Sequence, residues 1–132
     1  MTENEIAKHI VDAALKVHKR FGPGLLESVY EAVLAAELER RGLRVKRQQP
    51  IPVIYEDVRL DIGFRVDLIV EDKVVIEIKS IEAIASVHDK QVLTYLKIAD
   101  KRLGFLINFN VDLIKDGIKR VVNGLQGEGD QV

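Results

Sequence analysis

Apolar residues recur at three- and four-residue steps through Ile6, Ile10, Ala13, Ala14, Val17 and Phe21, which is one stripe of a helix. Thr2 followed by Glu5 fits a capping box at its start. The run Gly22-Pro23-Gly24 breaks that helix. A second helix is predicted over residues 25–41, with Gly42 as its stop. Tyr30, Leu34 and Leu38 form its core stripe, and Glu27 continues that stripe towards the helix start. Beyond Val45 the period changes to two. Residues 45–48 and 51–55 read as strand, interrupted by Pro50 and Pro52, which suit an edge strand or a strand end. Glu56-Asp57 reads as a turn and residues 58–60 as a short return strand. Residues 64–70 and 74–79 form a hairpin around Glu71-Asp72-Lys73. A third helix is predicted over residues 86–98, then an apolar strand over 102–109, buried on both faces. Residues 111–123 read as a short helical turn, a break at Gly117 and a last strand over 118–122. The order is α-α-β-β-β-β-α-β with a C-terminal element. It predicts one α/β domain over residues 1–125, with a mixed sheet packed between helices. The polar, glycine-containing residues 126–132 are expected to form a flexible, frayed tail.

Composition narrows the chemistry. Among 132 residues, 20 Lys and Arg nearly cancel 21 Asp and Glu, for a formal charge of −1. That excludes a polyanion binder that is basic over its whole surface, and leaves room for a local basic groove. With no cysteine there is no disulfide, thiolate zinc site or cysteine nucleophile, and 3 His residues do not suggest a histidine-rich metal site. Carboxylates remain for metal or acid–base chemistry. No apolar run approaches the roughly 20 residues that span a bilayer. Residues 1–10 lack the apolar core of a signal peptide, so a cytoplasmic protein without membrane contact is expected.

The hairpin carries the informative polar residues. With a three-residue loop at 71–73, Val70 pairs with Val74, and counting back sets Asp67 opposite Glu77. Directly opposed side chains have Cβ atoms about 5 Å apart. Two carboxylates that close repel unless a proton or cation lies between them. A two-residue loop would instead set Asp67 opposite Ile78. Lys79 shares the face of Glu77. Mixed charges of this kind also occur on solvent-exposed sheet faces. Here the flanking residues 68–70 and 74–76 are apolar on both faces, which describes a covered hairpin whose charges need partners. Glu27 either points inwards beside the sheet or serves the helix dipole from the first turn. Gln91 and Tyr95, four apart on the side of Val92, Leu96 and Ala99, need hydrogen-bond partners. His88, one turn earlier, reads as a polar residue of the helix start.

These residues resemble a family. "GLLESVY" sets Gly24, Glu27 and Tyr30 in a G-x-x-E-x-x-Y arrangement similar to the GxxExxY proteins of the PD-(D/E)XK nuclease superfamily. "RVDLIV" with Asp67, "VIEIKS" with Glu77 and Lys79, "HDKQVLTYLK" with Gln91 and Tyr95, and "LGFLINF" with Asn108 follow in the family's order, over residues 3–123. The resemblance implies a restriction-endonuclease-like three-layer sandwich, its mixed central sheet flanked by helices. It implies that Asp67 and Glu77 bind Mg²⁺ or Mn²⁺ with the Ile78 carbonyl, and that Glu27 completes the acidic cluster directly or through water. Asp67, Glu77 and Lys79 would be catalytic, with Lys79 orienting or helping to deprotonate the attacking water and stabilising charge on the phosphate. Gln91 and Tyr95 would help position substrate or the lysine, and Tyr30 would position substrate.

The chemistry asks for the same residue types. Mg²⁺ takes oxygen ligands, and a lysine adds positive charge where a phosphodiester transition state gains negative charge. The implied function is metal-dependent hydrolysis of phosphodiester bonds in DNA, ahead of RNA. The rival is a catalytically silent module of the same fold that binds nucleic acid or protein. A third reading makes the charges a structural network. Arg40, Arg41, Arg44, Lys46 and Arg47, and Lys97, Lys101 and Arg102, either track a phosphate backbone or form a solvated surface. No tryptophan is present and aromatics make up 5%, which does not favour a single-strand stacking platform. A core of this size would gain grip on its substrate from a homodimer or a partner protein.

Overall fold

The computed structural model describes residues 1–125, so the tail at 126–132 lies outside the described residues. Helix α1 (Glu3–Phe21) starts at Thr2, whose Oγ1 accepts from the Glu5 N–H, as the capping pattern predicts. Ile6, Ile10, Ala13, Ala14 and Val17 are buried along its stripe. Phe21 is not: at the helix end it is exposed beneath the Arg20 guanidinium, because the chain turns away at Gly22. Helix α2 (Glu27–Arg40) starts two residues later than the pattern suggests and buries Tyr30, Leu34 and Leu38. Gly42, at φ 85°, takes the left-handed turn that ends it.

Strands β1 (Val45–Tyr55), β2 (Val58–Val70) and β3 (Val74–Lys79) follow, then α3 (Ser86–Ala99), β4 (Leu103–Asn108), a 3₁₀ turn (Ile114–Asp116) and β5 (Ile118–Val122). The sheet has five strands in the order β1-β2-β3-β4-β5. Only β3 and β4 are parallel, joined across α3, so the sheet is mixed. The proline-containing β1 lies at an edge, where a missing N–H costs no ladder bond.

One expectation fails in this region. The return strand over 58–60 and the strand over 64–70 are a single strand, β2. Gly63 does not break it. A Cβ there would collide with the Ile51 carbonyl, next to the register shift between Ile51 and Val53. The glycine therefore admits a close backbone approach at a bulge.

Two cores form, one on each sheet face. α1 and α2 pack on Leu68, Val70, Val74, Ile76 and Ile78 with Leu103, Phe105 and Ile107. α3 packs through Val92 and Leu96 on Val66, Ile69, Val75, Leu106 and Val121. This is the three-layer α/β sandwich with a mixed central sheet, and all six residues of β4 are buried at its centre. Strict alternation along β2 breaks at Asp67: Val66 packs on the α3 side, Leu68 and Val70 on the other.

Candidate active site

The hairpin register is Val70↔Val74, Ile69↔Val75 and Leu68↔Ile76, as the three-residue loop requires. The regular pairing stops there, at the point where the two acids meet. Glu77 Oε1 accepts from the Asp67 N–H at 3.0 Å, and Asp67 Oδ2 accepts from the Ile78 N–H at 2.8 Å. Each carboxylate thus takes a backbone donor of the opposite strand, and the strand ends are stapled by side chains. Glu77 Oε2 has no hydrogen-bond partner among the described residues. Ile78 buries its side chain in the α1–α2 core.

Burial, reinforced by the adjacent Asp67 charge, pushes the Glu77 carboxyl up to about 7. Burial also raises Asp67, with a further push from Glu31, while the Ile78 N–H, Gln48 and Lys79 pull it down. The pair therefore demands more positive charge than the protein supplies. Lys79, next on this face, makes no ion pair within 4.0 Å among the described residues, although its charge acts on both carboxylates.

Glu27 stands apart from the pair. It is exposed at the start of α2, and its Oε2 accepts from the Ser80 N–H at 3.2 Å. Among the described residues no three His, Cys, Asp or Glu side chains converge on one metal position, so Glu27 does not join Asp67 and Glu77 in a three-acid cluster. It docks α2 on the chain just after Lys79. The Ser80 hydroxyl donates to the Leu25 carbonyl at 2.7 Å and strengthens that contact. Tyr30 is fully buried, and its hydroxyl donates to the Gly22 carbonyl at 2.5 Å and accepts from the Leu25 N–H at 3.1 Å. Its ring stacks on Phe109 at 4.4 Å. A side chain so committed has no polar atom left for substrate; it holds the loop around Gly24 that presents Glu27. Asn108 anchors the same region, bonding both the N–H and the carbonyl of Ile81.

On the other side, Tyr95 is partly buried and stacks on Phe64, with ring centroids 4.1 Å apart. Burial, and behind it the charges of Glu77 and Asp67, raise its phenol. Gln91 is exposed and has no bonded partner among the described residues, although its stripe called for one. His88 accepts from the Ala85 N–H at the start of α3, as its position suggests.

Two residues escaped the sequence reading. Glu31 is buried, and its carboxylate pairs with the Arg47 guanidinium at 3.1 Å. The Gln48 amide donates both to Glu31 Oε1 at 2.6 Å and to Asp67 Oδ1 at 3.2 Å. A signal for Glu31 existed: it stands four residues after Glu27, on the stripe that continues to Leu34 and Leu38. None existed for Gln48, whose inward reach depends on a left-handed backbone at φ 49° within a strand. Of the basic residues that could track a phosphate backbone, Arg41, Arg44, Arg47, Lys101 and Arg102 are tied to acids in ion pairs.

The donor set fits a hard divalent cation. Mg²⁺ is commonly held by one or two carboxylates and keeps its remaining positions for water and phosphate oxygen. Asp67 and Glu77 are two such carboxylates, close together, with an open oxygen on Glu77. They lie where Glu77 and Lys79 approach the carboxyl end of β3, beside its parallel neighbour β4, a place where α/β sheets bind ligands. A family model described as PD-(D/E)XK nuclease superfamily matches residues 4–121. No curated protein and no solved structure matches the chain.

Proposed function

Because the chain belongs to the PD-(D/E)XK nuclease superfamily, we propose that it is a Mg²⁺- or Mn²⁺-dependent nuclease that hydrolyses phosphodiester bonds in DNA, and less readily in RNA. The observation that carries this reading is the Asp67–Glu77 pair, two carboxylates interlocked across the opened end of a hairpin, with their demand for positive charge unmet. When bound, the cation supplies Lewis acidity and lowers the pKa of the attacking water. Asp67 and Glu77 hold it, with the Ile78 carbonyl as a further oxygen ligand. Lys79 faces the same position, where its ammonium orients the water and stabilises charge growing on the phosphate. Gln91 offers an unbound amide to the substrate, and Tyr95, braced by Phe64, sets the wall of the site. Glu27 fixes the chain just beyond Lys79 and is a ligand at most through water.

The test is degradation of single- and double-stranded DNA and of RNA by purified protein with Mg²⁺ or Mn²⁺. Asp67→Ala and Lys79→Ala should each lose about 100-fold or more of the rate. Unchanged rates in both variants, with contaminating nucleases excluded, would defeat the assignment.

A further inference from the structure

We propose that Gln48 and Glu31 are positioning residues for Asp67, with Glu31 fixing the Gln48 amide and Gln48 fixing the outer oxygen of the Asp67 carboxylate. The proposal rests on the metal-dependent reading of the Asp67–Glu77 pair. Asp67 Oδ2 is fixed by the Ile78 N–H, which leaves the plane of the carboxylate free to rotate about that anchor. The Gln48 amide removes this freedom by holding Oδ1 at 3.2 Å. A primary amide has two N–H groups, and Gln48 uses its second on Glu31 Oε1 at 2.6 Å. Glu31 cannot swing away, because it is buried in α2 and Arg47 holds its other oxygen. The result is a chain from Arg47 through Glu31 and Gln48 to Asp67, in which each polar group is held at both ends.

Backbone geometry supports the assignment. Gln48 sits at φ 49° inside a strand, a conformation disfavoured for any residue with a Cβ. A glycine would adopt it more readily, yet a glutamine stands there, reaching the two carboxylates. Backbone strain at a residue that touches a functional group points to function rather than to stability. Arg47 pairs with Glu31 at 3.1 Å and so holds in place the carboxylate that fixes the Gln48 amide.

The experiment is calorimetric titration of Mn²⁺ into wild type, Asp67→Asn, Gln48→Gly, Glu31→Ala, Glu31→Gln and the Gln48→Gly/Glu31→Ala double variant. Gln48→Gly suits the left-handed backbone at this position and removes only the side chain, and thermal unfolding of each variant without metal separates a loss of fold from a loss of binding. Loss of such an orienting partner should weaken Mn²⁺ binding by about 10- to 100-fold in Gln48→Gly and in Glu31→Ala. Because the two act in series, the double variant should bind no more weakly than the weaker single variant. Glu31→Gln keeps an acceptor for Gln48 and should recover part of the affinity. Affinity within about twofold of wild type in Gln48→Gly, or multiplicative losses in the double variant, overturns the proposal. Wild type that binds no Mn²⁺, or Asp67→Asn that binds as tightly as wild type, overturns the metal reading itself and this proposal with it. Failure at Gln48 alone leaves the metal reading standing.

Discussion

Glu77 is the side chain whose charge the metal-free fold tolerates least. Its carboxyl is raised from 4.5 to about 7, by burial first and by Asp67 second, so the folded chain holds this proton more tightly than the unfolded chain does. The stability linked to that proton is fully present below pH 4.5 and is lost as pH rises through about 7. The total is roughly 3 kcal/mol, and Asp67, raised by burial as well, acts in the same direction. Glu77→Gln keeps an oxygen for the Asp67 N–H but cannot ionise. In urea unfolding without divalent ions, wild type should lose stability between about pH 5 and pH 8, while Glu77→Gln should lose less and be the more stable protein at the upper end. Equal pH slopes for the two proteins would show that the cost does not reside at Glu77.

At the level of elements, what could be read from the sequence was whatever a period and a turn determine together. The register of β2 on β3 was legible because the loop 71–73 is short and sets Val70 against Val74, although the flanking residues are apolar on both faces. That register placed Asp67 against Glu77. The continuity of β2 between the strands expected over 58–60 and 64–70 was not legible, because a glycine that ends a strand and one that admits a neighbouring backbone look alike in sequence. Glu31 and Gln48 were missed for a related reason. A helix stripe shows which residues turn inwards, not what they meet, and the left-handed backbone at Gln48 leaves no mark in any pattern of apolar residues. Tyr30 was legible as a core residue, but the partners of its hydroxyl, the Gly22 carbonyl and the Leu25 N–H in its own loop, were not. Gly63→Ala should lower stability by about 1–3 kcal/mol in thermal unfolding, since the added methyl meets the Ile51 carbonyl and not a movable side chain. An unchanged midpoint would mean that the strand is free to shift away at this bulge.

For the whole molecule, the near balance of acids and bases takes on a local meaning. Several cations that could serve a polyanion are spent on neighbouring carboxylates, whereas Asp67 and Glu77 share a site that protons relieve and that Lys79 does not neutralise by direct contact. A proton and a divalent ion would therefore compete for the same two carboxylates. An ion present at about a hundred times its dissociation constant stabilises the fold by roughly 2.7 kcal/mol. Because the ion must displace the proton on Glu77, affinity should rise with pH up to about 7 and level off above it. Thermal unfolding with a fixed concentration of Mg²⁺ should accordingly show a larger upward shift at about pH 8 than at about pH 5. Asp67→Asn and Glu77→Gln should abolish the shift at both pH values, each by removing one of two ligands. A shift independent of pH, or one that survives in both variants, would place the ion on other groups and leave the acid pair as a structural staple between β2 and β3.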